Sequence, residues 1–306
     1  MKLDNKPDPE RIGPTAVMCA KYLAENSGDS IPYVKDIWNN LKKHDEKVVS
    51  EGKDYLSIKI PRPFLKKSVL RTILEGRYIA VNNVLANENY PHVIELASGL
   101  SPRGLDFTRR DPKQIYIETD LLNLQKIKRQ IVKQIRGKEN LEGLAETPNY
   151  YLTPLNITDK EEFTKAIKPY IDSKKDKPLA IVHSGLWMYL DSDEQKKARD
   201  NIADILREYS PNGMWITTDF RKSFLSKNLL LKLTMRGIEK KTGRRFRFYE
   251  SEGDIKRFLT EGGLKAELIS SDYLADSLSC VKKLGLDVEK VRQNSHMFDV
   301  HKITLA

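Results

Sequence analysis

From residue 91 onward the chain alternates five short apolar runs, HVIELA, QIYIET, YYLTPLN, LAIVHSG and GMWITTD, with helix-patterned stretches at 121–136, 160–172 and 193–209. Continuous apolar runs of this length suit strands buried on both faces. Strands that alternate with helices predict a parallel, doubly wound α/β sheet. Two more strand candidates follow the helix-like IKRFLTEGGL: KAELISS and, at the end of the chain, HMFDVHKITLA. Joined by a long segment, they suit an antiparallel hairpin on the edge of that sheet. Residues 14–90 have a different texture. TAVMCAKYLAEN, VKDIWNNLKKHDEKV and PFLKKSVLRTILEGRYIAVNNVLAN read as helices, with Pro61 and Pro63 marking a break. The expected organisation is a helical N-terminal cap over residues 1–90 and one α/β domain over 91–306.

At 306 residues, with 39% hydrophobic and 31% charged side chains, the chain can bury a sizeable core. No apolar run approaches the roughly 18–20 residues that span a bilayer. The opening MKLDNKPDPERIGP lacks the apolar core of a secretory signal. Cys19 and Cys280 lie far apart, and the five histidines do not cluster. A cytoplasmic, reduced protein without metal or membrane partner is expected, and its oligomeric state is left open. The formal charge of +10 admits acidic partners, nucleic acid included. In LLNLQKIKRQIVKQIRGK, Leu124, Ile127, Ile131 and Ile135 mark an apolar helix face, which places the basic residues mostly on the remaining face. That face reads as a solvated outer surface or as a binding stripe. A second basic run, MRGIEKKTGRRFRF, lies within a candidate lid around 222–250 and mixes Arg244, Arg245 and Arg247 with Phe246 and Phe248. It reads as a lid, an acidic-substrate contact or a nucleic-acid contact.

Ligands of open α/β sheets sit beyond the carboxyl ends of the strands, where strand order reverses. The first strand runs into such a turn in HVIELASGLSPRG, where Gly99 lets backbone approach a ligand and exposed amides can meet an anion. The next strand ends in Glu118-Thr119-Asp120, about 20 residues on, where an acid takes the two hydroxyls of a ribose. Taken singly, the glycine reads as a turn and the acid as a helix cap. In order and at this separation they favour an adenosine-type ligand. The dinucleotide pattern G-x-G-x-x-G is absent, which lowers the case for a dehydrogenase. Glu95 before the turn suits instead the E-x-G-x-G pattern of S-adenosylmethionine (SAM) binding, with Ala97 replacing its first glycine.

Four segments in register resemble the leucine carboxyl methyltransferase family, whose bacterial relatives include small-molecule O-methyltransferases. ELASGLSPR (Glu95–Arg103) is similar to the family's ELGAGLDTR turn, and IETDL (Ile117–Leu121) to its EVDLP strand end. Asn156-Ile157 stands where the family has a D-L pair, and SGLWMYL (Ser184–Leu190) resembles its EGLLMYL. Arg77 in EGRYIAVNN and the helix TAVMCAKYL extend the likeness over nearly the whole chain. The resemblance implies a Rossmann-like class I methyltransferase domain using SAM. Arg77 then holds the methionine carboxylate while Gly99 passes beneath it. Asp120, with Glu118 as competitor, binds the ribose. Asn156, through its side chain, and Ile157, through its amide, border the adenine. Three departures stand out. Asn156 replaces an aspartate, Ser184 a glutamate and Ala97 a glycine, so altered substrate use or weaker cofactor binding follows as an expectation.

Methyl transfer is an in-line displacement, so alignment and exclusion of water matter most. A carboxylate acceptor needs no base, whereas a hydroxyl usually does. His183, at the end of LAIVHSG, is the base candidate, with a hydrogen-bonded structural histidine as the competing reading. Tyr189 lines an acceptor pocket or fills the core, Trp187 packs, and Asp219 faces the site or caps a helix. Transfer to a carboxyl or hydroxyl of a small molecule leads. An RNA-modifying methyltransferase and a non-catalytic SAM-binding protein are the alternatives, and nucleic acid is not the favoured partner.

Overall fold

The structure, a computed structural model, describes residues 13–44, 69–138, 147–171, 177–219 and 229–306. Three helices come first: α1 (Gly13–Ser27), α2 (Val34–His44) and α3 (Val69–Glu88). The α/β part begins with β1 (His92–Leu96), α4 (Arg103–Arg110), β2 (Ile115–Asp120), α5 (Leu122–Lys138) and β3 (Tyr150–Pro154). It continues through α6 (Lys160–Ile167), β4 (Leu179–His183), α7 (Ser192–Tyr209), β5 (Met214–Thr217) and α8 (Leu229–Thr242). It closes with α9 (Glu252–Glu261), β6 (Leu264–Ile269), α10 (Ser279–Leu284), α11 (Val288–Gln293) and β7 (Val300–Leu305). All seven strands join one sheet in the order β3-β2-β1-β4-β5-β7-β6. β1 to β5 pair in parallel, and β7 is antiparallel to both β5 and β6. The doubly wound sheet and the terminal antiparallel hairpin are as the sequence predicts.

Strand alternation divides the interior into two cores. Val93, Tyr116, Val182 and Ile216 face α1, α2, α3 and α10, while Ile94, Ile117, Ile181 and Trp215 face α6, α7 and α9. Every residue of β1 and β4 is buried, which explains their unbroken apolar runs. The helices before β1 therefore share one core with the sheet. Glu75 of α3 fastens this side: its buried carboxylate accepts the amides of Ser279 and Cys280 at 2.8 Å and so caps α10 from 204 residues away in sequence. The helix expected over 160–172 stops at Ile167 as α-helix, because Pro169 offers no amide to extend the ladder.

The basic face expected on α5 is partly turned inward. Lys128 is buried and ion-paired with Glu118, Arg136 lies 4.8 Å over the Tyr150 ring, and Arg129 donates to the Leu152 carbonyl at 2.6 Å. Lys126 and Lys133 remain exposed. Glu118 accounts for Lys128, since a buried carboxylate is costly without a counter-ion and this helix supplies one. Residues 222–228 of the candidate lid lie outside the described residues. The following 243–249 is an extended strap in which Arg244, Phe246 and Phe248 are half-buried while Arg245 and Arg247 are exposed. Among the described residues no helix is long and apolar enough to cross a membrane.

Candidate functional site

A cavity of about 280 Å³ opens beyond the carboxyl ends of β1 to β4. Gly99, Asp120, Ile157 and Ser184, one from beyond or at the end of each strand, contribute to its wall. It lies at the switch point of the sheet, since the chain runs from β1 outward through β2 to β3 and then returns to β4 on the other side. α1 closes the opposite wall with Ala16, Cys19 and Leu23. The likeness of TAVMCAKYL marked this helix but not the role of these residues, which depends on a contact with the distant β1 turn.

The β1 turn is tied to β2 by its own backbone. Ser98 N donates to the Thr119 carbonyl at 2.8 Å and Gly99 N to Asp120 Oδ2 at 2.7 Å. Leu121 N donates to Asp120 Oδ1 at 2.7 Å, so two amides orient this carboxylate at the cavity wall. Gly99 is left-handed, at φ +55°, and so is Ala97, at φ 49°. Ala97 thus holds the conformation that a glycine in its place would adopt without strain, at a cost of roughly 1–2 kcal/mol for an L-residue. Gly104 is needed for a different reason. A Cβ there would lie 2.5 Å from both Glu118 Oε1 and the Tyr150 ring.

Two carboxylates singled out in the sequence are engaged in structure. Glu95 lines the cavity but pairs with Arg103 and accepts from the Tyr116 hydroxyl at 2.9 Å. Burial disfavours the Arg103 cation, yet Glu95 and the flanking tyrosines more than offset it and hold its pKa above the ordinary range. Glu118 lies beneath α4, off the cavity wall, where it accepts from Gly104 N and Tyr150 Oη at 2.9 Å and pairs with Lys128. Burial raises its pKa despite Lys128. Of the two candidates for a ribose, the geometry presents Asp120 and withdraws Glu118. Asn156 and Ile157 both border the cavity. Asn156 Oδ1, however, accepts from Thr158 N at 3.2 Å and from its hydroxyl at 2.9 Å, a local turn that occupies this oxygen.

The segment after β4 contributes Ser184, Gly185, Leu186, Met188, Tyr189 and Leu190 to the wall. Arg77 reaches it from α3, donating through Nε to Thr218 Oγ1 at 2.7 Å and pairing with Asp219. Burial pulls the Arg77 guanidinium down to about 10, which still leaves it a cation at neutral pH. Ser184 Oγ lies 3.2 Å from Thr218 Oγ1. Tyr189, 5% exposed, meets Phe246 of the strap edge-on at 4.9 Å, and its carbonyl accepts from Arg244 at 3.1 Å. Arg244 also pairs with Glu194 at 2.6 Å, and both line the cavity. Glu194 was legible only as the fourth residue of the capping box Asp191–Glu194, and Arg244 only as one charge in a basic run.

His183 does not line the cavity. Its ring stacks on Trp187 at 5.3 Å and tilts against Trp215 at 5.6 Å, and its Nδ1 sits 2.9 Å from Asp219 Oδ2. Burial, with Arg77 nearby, pushes its pKa down to about 3. The structure thus places His183 as a buried imidazole hydrogen-bonded to Asp219, off the wall where an acceptor would lie. Asp219 accepts from the amides of Gly185, Leu186 and Trp187. Asp219 thereby caps the turn after β4, while a helix that would begin just beyond it lies outside the described residues.

No family model and no curated protein matches the sequence. Solved structures do. A DUF574 family protein from Streptomyces avermitilis MA-4680 is similar with a TM-score of 0.56 at 9% identity, covering 95% of this chain and 96% of that one. A protein named as a methyltransferase from Thermobifida fusca YX is similar with a TM-score of 0.50 at 15% identity, covering 99% and 96%. The fold is that of a class I methyltransferase. The strand order and the antiparallel β7 agree with that assignment, and the cavity occupies the ligand position of such sheets.

Proposed function

We propose that the protein is a SAM-dependent methyltransferase that transfers a methyl group to an oxygen of a small-molecule acceptor, as the leucine carboxyl methyltransferase family it resembles implies. The observation that carries this reading is the Asp120 carboxylate, fixed by the Gly99 and Leu121 amides at the switch point. A carboxylate at this position, held in orientation by backbone amides, is the acceptor type that vicinal ribose hydroxyls require. Leu121, Leu155 and Ile157 supply an apolar slot suited to an adenine, and Arg77 supplies a cation for an amino-acid carboxylate. With Asn156 Oδ1 held by Thr158, the Ile157 backbone becomes the main polar contact for the purine edge. The residues present therefore fit SAM. When bound, SAM supplies an electrophilic methyl group on a sulfonium.

The chain's own part is to bind, align and exclude water. α1 and the turn after β4 enclose the cavity with Ala16, Leu23, Met188 and Tyr189, and the strap adds Arg244. Among the described lining residues there is no histidine or lysine. The Cys19 thiol is pushed up to about 11 by burial, and Glu194 is committed to Arg244 and the Asp191 amide. With no base poised near neutrality among the described lining residues, an acceptor that arrives ionised is favoured, a carboxylate over an alcohol. The inward turn of Lys128, Arg129 and Arg136 weakens the RNA reading.

Calorimetry with SAM and with S-adenosylhomocysteine (SAH), followed by labelled methyl transfer to a panel of carboxylic acids, phenols and RNA, tests the proposal. Binding of both ligands and a base-labile methyl ester are expected. Absence of binding at saturating ligand, or label confined to RNA, overturns it.

A further inference from the structure

We infer that Asp219 is a positioning residue that neutralises Arg77 at the cavity wall and so sets the preference between the cationic SAM and the neutral SAH. The inference rests on the proposed function and adds a residue that the binding reading does not contain.

Asp219 is 4% exposed, just past β5, and its surroundings are built around its charge. Oδ1 accepts from Gly185 N at 2.7 Å, and Oδ2 accepts from Leu186 N at 2.8 Å and Trp187 N at 3.1 Å. Three successive amides converge on it because Gly185 stands at φ +87°, the kind of backbone turn that forms an anion-binding concavity. His183 Nδ1 adds a further contact at 2.9 Å. The imidazole is therefore the Nδ1–H tautomer, since a carboxylate only accepts.

On its remaining side the carboxylate pairs with Arg77, whose Nε is held by the neighbouring Thr218 hydroxyl. Arg77 is clamped by two consecutive residues and lines the cavity, whereas Asp219 does not. A ligand at this wall thus meets a guanidinium whose charge is compensated from behind. An anchor for the 184–190 segment alone would need only an acceptor of hydrogen bonds. The ion pair with Arg77 makes the negative charge itself matter, because an uncompensated cation in a low-dielectric wall disfavours a second cation nearby. SAM and SAH share the carboxylate, amine, ribose and adenine and differ by the sulfonium methyl. The ratio of their affinities therefore isolates the charge and cancels losses common to both.

The test measures Kd for SAM and for SAH by calorimetry on wild type, Asp219→Asn and Arg77→Gln. Asp219→Asn keeps an acceptor for the amides but removes the charge. It is expected to raise Kd(SAM)/Kd(SAH) by about tenfold relative to wild type. Arg77→Gln removes the cation and is expected to lower that ratio, even as both affinities fall. If Asp219→Asn does not fold, the Arg77→Gln ratio decides alone. Ratios unchanged from a wild type that binds both ligands would overturn the inference and leave the proposed function standing. A wild type that binds neither ligand overturns both.

Discussion

His183 lies between two tryptophans with its one hydrogen-bonding nitrogen turned to Asp219, and its titration is thereby removed from the physiological range. The native state refuses a proton until about pH 3, while the unfolded chain takes one near the ordinary 6.5. Stability is therefore full above pH 6.5 and is lost progressively as pH falls toward 3, by about 2 kcal/mol at pH 5 from this group alone. His183→Asn retains a donor for Asp219 and does not titrate. Urea titrations at pH 7 and pH 5 are expected to show a smaller acid loss in the variant than in wild type, and equal losses would contradict the buried-neutral assignment. Ala97 presents a related case. Its left-handed φ was concealed by its identity, since alanine gives no hint of the conformation that a glycine would have announced.

At the level of elements, the strap over 243–249 shows period-two burial that the sequence RRFRF carried openly, yet its partner was not legible. Arg244 and Phe246 close on Tyr189 and Glu194, which belong to a turn and a helix about 50 residues earlier. Removal of the Arg244 guanidinium costs the strap a charge-assisted pair with Glu194, worth roughly 1.5–3 kcal/mol. Arg244→Ala is expected to accelerate tryptic cleavage after Arg245 and Arg247 by about tenfold or more, followed by mass spectrometry of the fragments. Unchanged cleavage would mean that Phe246 and Phe248 alone hold the strap. The same limit applied to α5. Its 3.6-residue periodicity gave the helix and its apolar face, but not the inward use of Lys128 and Arg136, because those depend on Glu118 and Tyr150 from other strands.

For the whole molecule, the helices before β1 and the α/β part are expected to unfold as one unit, since a single core runs from Val17 and Ile37 through Val182 to Leu274. Glu75 tests this. Glu75→Gln weakens the cap on α10 while preserving volume and is expected to cost about 2 kcal/mol within a single calorimetric transition. A separate, lower transition would instead show an independent helical domain. The parallel sheet, its terminal hairpin and the turn carrying Gly99 and Asp120 were determined by the sequence itself. They rest on local periodicity, on glycine at a turn and on an acid at a strand end, all of which are properties of neighbouring residues. Tertiary structure alone decided that Asp120 rather than Glu118 faces the cavity, that His183 is sealed from it, and that Arg77 meets Asp219 there. Those outcomes depend on which charges are desolvated together. Desolvation is set by segments that approach one another only after the chain has closed around its core.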